Sequence, residues 1–217
     1  QAQNQWVAVG NNGNEGVLFS SQNDGLTWAR YEPGIDFLNY NFTGIVWTGT
    51  AWLVCGEKTV VEEGATDYAG VIFRSLDASS WTLISDTFDA PLSAIAADGS
   101  GDVLVVGESG IILRSTDDGQ NFARIDGGAL SEDLSAVLAT GTGRFTIGGD
   151  GKSVFEENTG VVSALRPAAG GAPQVRALLY SGGAILLGGE FALSRRSQPF
   201  GLELQTIAKF YRITVNE

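Results

Sequence analysis

No histidine occurs in the 217 residues, which excludes serine–histidine and cysteine–histidine nucleophiles and imidazole-bound zinc. Acid–base chemistry is left to 25 Asp and Glu. Two facing carboxylates can hydrolyse a glycosidic bond, but in a chain this acidic some pair is always within reach, and no spacing singles one out. Calcium is the cation such oxygens would take. Asp117-Asp118 and Glu62-Glu63 offer ligands, but without the spacing of a calcium loop, and no cofactor is expected. The one thiol, Cys55, stands in the apolar run Trp52-Leu53-Val54-Cys55 and reads as a small buried hydrophobe. Three aromatics near predicted loop ends, Tyr40, Trp47 and Tyr68, are candidate contacts for a ligand such as a sugar ring. Packing in the core or rim is their competing reading.

These residues must be positioned by a repeat. An alternating apolar run closing on glycine recurs at Trp6–Gly10, Leu53–Gly56, Leu104–Gly107, Phe145–Gly148 and Ile185–Gly188, the glycines lying 46, 51, 41 and 40 residues apart. That period suits four-stranded propeller blades and is too long for leucine-rich solenoids. Ahead of four of these runs lies a short strand joined by a Gly-rich turn (Thr43–Trp47, Leu92–Ala96, Leu134–Leu138, Val175–Leu179), which makes a hairpin. A third strand follows at Val17–Phe19, Val71–Phe73, Ile111–Leu113, Ser153–Phe155 and Phe191–Leu193, and then a fourth. The first repeat lacks its leading strand, while Lys209–Val215 is left over at the end. The predicted fold is therefore an all-β propeller of about five four-stranded blades, closed into a ring by the C-terminal strand. The blades span about 1–40 with 209–216, then 41–89, 90–130, 131–170 and 171–208, in one domain over 1–217. An arc of a larger propeller is the alternative. Lys58 to Tyr68 reads as an irregular acidic insertion, and Pro167 to Pro173 as a flexible connection.

Between the third and fourth predicted strands a phrase recurs: Ser21-Gln22-Asn23-Asp24-Gly25-Leu26-Thr27-Trp28, Ser75-Leu76-Asp77-Ala78-Ser79-Ser80-Trp81, and Ser115-Thr116-Asp117-Asp118-Gly119-Gln120-Asn121-Phe122. Hydroxyl and carboxylate oxygens around such a turn can accept backbone N–H bonds, and the closing Trp or Phe can fold beneath the blade. The expected structural set is Ser21, Asp24, Gly25, Trp28, Ser75, Asp77, Trp81, Ser115, Asp117, Gly119 and Phe122. The phrase resembles the Asp-box, or BNR repeat, of pattern Ser-x-Asp-x-Gly-x-Thr-Trp. Its copies at Ser75 and in blades four and five (Glu156–Gly160, Ser194–Gln198) are degraded. The resemblance extends to sialidases, sortilin-type receptors, xyloglucan-degrading enzymes and photosystem assembly factors. It implies that the box lies on the face away from any active site, so its aspartates are not catalytic. A sialidase-like reading further requires an arginine cluster and a tyrosine–glutamate pair. Arg74 and Arg114 instead precede boxes, and the five tyrosines share no repeat position.

A formal charge of −12 repels a phosphate backbone, so nucleic acid is not an expected partner, and no run approaches the ~20 apolar residues of a membrane span. A start at Gln1 and the absence of methionine predict further chain upstream. The expected function is that of a non-catalytic scaffold or interaction module with protein partners in a larger assembly, a phage virion or another extracellular particle. Its surface of many Ser, Thr, Asn and Gly and few Lys suits an external part. A glycan-binding or glycan-hydrolysing module is the alternative, and an assembly chaperone the third reading.

Overall fold

A computed structural model describes residues 5–13, 15–31, 37–62, 64–125, 130–150, 153–167, 174–181, 184–190, 204–207 and 210–214. The short apolar runs form antiparallel sheets in chain order. The first contains β1 (Trp6–Asn11), β2 (Gly16–Ser21) and β3 (Ala29–Arg30). The second contains β4 (Tyr40–Trp47), β5 (Trp52–Glu62), β6 (Ala65–Ser75) and β7 (Thr82–Phe88). The third contains β8 (Leu92–Ala97), β9 (Val103–Gly107), β10 (Ile112–Ser115) and β11 (Ala123–Arg124). The fourth contains β12 (Leu134–Gly141), β13 (Arg144–Gly149), β14 (Ser153–Asn158) and β15 (Val161–Pro167). The fifth contains β16 (Gln174–Ser181), β17 (Ala184–Glu190), β18 (Leu204–Ile207) and β19 (Phe210–Thr214).

Successive sheets pack face to face, the leading strands β4, β8, β12 and β16 each touching the next. Strand alternation supplies an apolar face to each interface. Between the first two sheets lies an aromatic cluster in which Phe37 meets Phe42 and Phe73 edge to face, at 5.0 and 5.3 Å between centroids. Leu53, Cys55, Leu92 and Val105 fill the next interface, and Leu104, Val106, Leu134 and Phe145 the one after. Cys55 is fully buried, and that burial pushes its thiol up to about 12.

The repeated glycine has a steric origin. In the second to fifth sheets the leading strand carries a β-bulge opposite the end of the second strand, and the residue facing the bulge is Gly56, Gly107, Gly149 or Gly189. A Cβ at Gly107 would stand 2.0 Å from the Pro91 carbonyl oxygen, and one at Gly56 2.1 Å from that of Asn41. The structural repeat thus falls one residue later than Gly148 and Gly188, the glycines that mark it in the sequence.

Two expectations change. Lys58 to Tyr68 is no irregular insertion: β5 and β6 continue in register from Lys58↔Ala69 to Glu62↔Ala65, because Thr59, Val60, Val61 and Thr66 are β-branched and Gly64 (φ +82°) makes the tight turn. The strand at 209–215 does not complete the first sheet. β19 pairs with β17 and β18 inside the fifth, and with two residues between β18 and β19 their hairpin closes locally at small entropic cost. Phe191–Leu193, Ser194–Gln198 and the 168–173 connection lie outside the described residues.

Candidate functional site

Each box-like phrase forms the turn between the last two strands of its sheet. The serine hydroxyl accepts a backbone N–H from deeper in the turn: Gly25 to Ser21 at 2.9 Å, Ala78 to Ser75 at 2.8 Å, Gly119 to Ser115 at 3.0 Å. The residue two beyond the serine completes the cap. Asp77 Oδ1 accepts the N–H groups of Ser79 and Ser80 at 2.8 Å each, and Asp117 Oδ1 those of Gln120 and Asn121 at 3.0 and 2.9 Å. In the first turn this role falls to Asn23, whose Oδ1 accepts the Thr27 N–H at 2.9 Å, and not to Asp24. Asp24 sits one position later, at φ +58°, exposed. Ala78 (φ +58°) and Asp118 (φ +59°) share its left-handed position, so the turn geometry persists where the pattern is degraded.

These turns are structural ties. Asp77 is held down at about 2 by hydrogen bonds from Ser79, then Ser80 and Ser75. At Asp117 burial works upward but is outweighed by bonds from Asn121, Ser115 and Gln120, which bring it to about 2 as well. The second and third turns also dock on the preceding sheet, Gln5 Nε2 donating to the Asp77 carbonyl at 2.8 Å and Arg74 Nε to that of Asp118 at 3.1 Å. Trp81 is buried in the aromatic cluster and Phe122 packs half-buried on the third sheet's core. Trp28 departs from the expected anchor role. Its ring is 45% exposed, held over the turn by Nε1 donating to the Gly25 carbonyl at 3.0 Å.

In the fourth sheet the register puts Glu157 where the other turns have serine: Phe145 faces Glu157 as Val103 faces Ser115. Its buried carboxylate accepts the Gly160 N–H and receives Arg114 from the third sheet, which also binds Asp102 at 2.7 Å. The sequence pattern alone had hidden this substitution.

The opposite ends of the strands carry a different chemistry. Directly after each structural repeat glycine comes an acid, Glu57, Glu108, Asp150 or Glu190, and Asn11 follows Gly10 in the first sheet. Asn11 Nδ2 donates to Asn41 Oδ1 at 2.5 Å, Asn41 Nδ2 to Glu57 Oε1 at 2.9 Å, the Ser109 N–H to Asp133 Oδ1 at 2.9 Å, and Gln174 Nε2 to Asp150 Oδ2 at 3.1 Å. Burial, then the charges of Asp133 and Glu57, raise the Glu108 carboxyl above its ordinary value. This belt was legible as the residue type after each glycine, once the glycines are aligned on the bulge.

The three aromatic candidates are not gathered. Tyr40 is buried among Phe37, Phe42 and Phe73, because the bulged start of β4 turns it under the sheet. Trp47, half-buried, lies against Trp52 at 5.2 Å at the other end of the strand. Only Tyr68 stands out, 46% exposed, on the β5–β6 arm. Among the described residues no three His, Cys, Asp or Glu side chains gather as a metal site, and no helix is long and apolar enough to cross a membrane.

Solved structures share this fold at low identity. The chain superposes on the GH74 xyloglucanase of Xanthomonas campestris with a TM-score of 0.59 at 14% identity, over 98% of this chain and 35% of that one. On the extracellular domain of a one-component system from B. thetaiotaomicron the TM-score is 0.54 at 14% identity, covering 83% and 23%. YCF48 from Cyanidioschyzon merolae gives 0.53 at 15% identity, covering 88% and 69%. No family model and no curated protein sequence matches the chain. What the likenesses show is the class: an all-β protein of propeller fold, built from antiparallel sheets that are mostly four-stranded.

Proposed function

We propose that this chain is a non-catalytic propeller of about five blades that acts as an interaction module within a larger protein assembly. The observation that carries the reading is the β5–β6 arm. β9 and β13 end at their glycine and β1 and β17 one residue beyond it, whereas β5 runs on six residues past Gly56; its last four pairs with β6, Thr59↔Tyr68 to Glu62↔Ala65, lie beyond the β4 ladder and project roughly 13 Å. A hairpin with exposed Val61 and Tyr68 and, among the described residues, no neighbouring strand along the outer side of Ala65–Ala69 adds little to the core, and it offers a partner both backbone and apolar surface. The box aspartates, by contrast, are committed to their own turns, which supports a structural use of the repeat. The assembly proposed is extracellular, a virion being the case anticipated from the sequence.

The reading is tested by sedimenting native source material and following the chain by mass spectrometry, beside a version in which residues 60–67 are replaced by Asn-Gly. Co-migration of the natural chain with a large particle, lost in the shortened chain, is expected. Migration of the natural chain as a free small protein overturns the proposal.

A further inference from the structure

The arm's two long sides differ. On the β5 side, β4 pairs as far as Tyr40↔Lys58, and the Thr59 N–H is then taken by the Asn39 carbonyl at 2.8 Å. On the β6 side, β7 stops at Gly70↔Phe88, so Ala65–Ala69 has β5 on one side and, among the described residues, no strand on the other. The outward N–H of Tyr68 is held by the neighbouring Asp67 Oδ1 at 2.8 Å, a side-chain stopper of the kind that guards a sheet edge. By the two-residue period of a strand, Thr66 presents its backbone the same way as Tyr68.

Pairing partners share a face, so Thr59, Val61, Thr66 and Tyr68 form one side of the arm, and Val60 and Asp67 lie on the other. On the first side Val61 is 68% and Tyr68 46% exposed, so this face presents apolar surface to solvent. The charge of this stretch of sequence is one-sided: between residues 57 and 67 it has Glu57, Glu62, Glu63 and Asp67 to one cation, Lys58, whose ammonium is already bound to Asp86 at 3.2 Å and lies 5.5 Å over the Tyr40 ring. A second copy of this chain would bring the same acids, and a net −12, against that edge. Charge complementarity selects a cationic occupant instead.

We infer that the free edge Ala65–Ala69 takes up an extended segment of a partner protein as an added strand, with alternate Lys or Arg set against Asp67 and apolar residues set against Tyr68. The inference rests on the interaction-module reading and gives that partner its chemistry. Binding shifts the Asp67 carboxylate from the Tyr68 N–H to the incoming cation, which frees the N–H for the new ladder. The stopper that protects the edge from indiscriminate pairing thus becomes the element that selects charge.

The probe is a fluorescein-labelled ten-residue peptide alternating Lys and Val, with a Lys-Pro peptide of equal charge that cannot form a ladder. Fluorescence anisotropy should show the Lys-Val peptide binding at least tenfold more tightly than Lys-Pro. Thr66→Pro should weaken it at least tenfold, and Asp67→Asn several-fold. In the natural chain, the Thr66 and Tyr68 amides should gain hydrogen-exchange protection when the peptide binds, a readout independent of how any variant folds. Equal binding of the two peptides, binding unaffected by Thr66→Pro, or absent protection at those amides overturns the inference. If the shortened chain still leaves the native particle while the peptide fails these criteria, the arm remains an interaction element and only the strand-addition chemistry falls.

Discussion

Gly10 and Gly107 hold the same place at the end of a second strand, yet alanine should act oppositely at the two. At Gly107 the new methyl would lie 2.0 Å from the Pro91 carbonyl oxygen and 2.9 Å from the Leu92 Cα, both backbone atoms of the bulged leading strand. Ordinary contact between such atoms needs more than 3 Å, so the bulge must retreat by over 1 Å and give up hydrogen bonds on both sides. Overpacking of that severity costs about 3 kcal/mol or more. In a chain of 217 residues this lowers the melting temperature by roughly 6–12 °C. Gly10 belongs to the sheet without a leading strand, and a Cβ there meets nothing within 4 Å. Neither glycine has a positive φ, so backbone strain cannot confuse the comparison. Gly10→Ala should leave stability unchanged or raise it by about 0.5 kcal/mol, since alanine restricts the unfolded chain. Differential scanning calorimetry of Gly10→Ala, Gly56→Ala and Gly107→Ala separates the cases. If Gly10→Ala falls as far as Gly107→Ala, the bulge is not the reason for the repeat glycine.

Asp77→Asn and Asp117→Asn test the capped turns. Both folded-state values lie near 2, below the unfolded value, so the stabilisation is full above about pH 4 and is lost as the pH falls towards 2. Each substitution should cost about 1 kcal/mol at pH 7, discounted because the turns face solvent, and should flatten the acid limb of urea midpoints measured from pH 5 to 2.5. An unchanged acid limb would refute the capping account. Arg114→Met strips the buried Glu157 of its cation and should cost about 3–5 kcal/mol, whereas Arg114→Met with Glu157→Ser, which restores the box serine, should recover most of it in a chemical denaturation series. The Cys55 thiol, buried and pushed up to about 12, should resist iodoacetamide at pH 8 until the chain unfolds, and labelling in native buffer within minutes would contradict its place in the core.

The sheets were legible because their signal is local. An alternating apolar run closing on glycine, followed by a serine turn, defines a strand and its boundary wherever it occurs, and β1, β5, β9, β13 and β17 lie where those runs predict. What was not legible depends on pairing between strands. The one-residue offset at Gly149 follows from the bulge at Leu134/Ala136, which no count along a single strand reveals. Asn23 takes the cap in the first turn because position after the serine, not acidity, decides which oxygen meets the N–H groups. Glu157 could be recognised as a serine substitute only from the residue it faces across the ladder. Tyr40 read as a loop-end aromatic, because its burial comes from Phe37 and Phe73, residues brought to it by other elements.

The two ends of the repeat divide its carboxylates by the backbone they meet. At the box end the chain reverses through a left-handed residue, so several N–H groups converge on one side-chain oxygen. Asp77 and Asp117 are then consumed in holding the turn, and the turn in holding the preceding sheet. At the glycine end, past the bulge, the acid that follows meets side-chain amides and other acids in place of converging N–H groups. Glu108 is raised above the ordinary carboxylate value by burial first and then by the charges of Asp133 and Glu57. The same residue type is therefore structural at one end and available at the other. On the proposed reading, the arm, which grows from that end beside Glu57, meets a basic partner with both its edge and its charge.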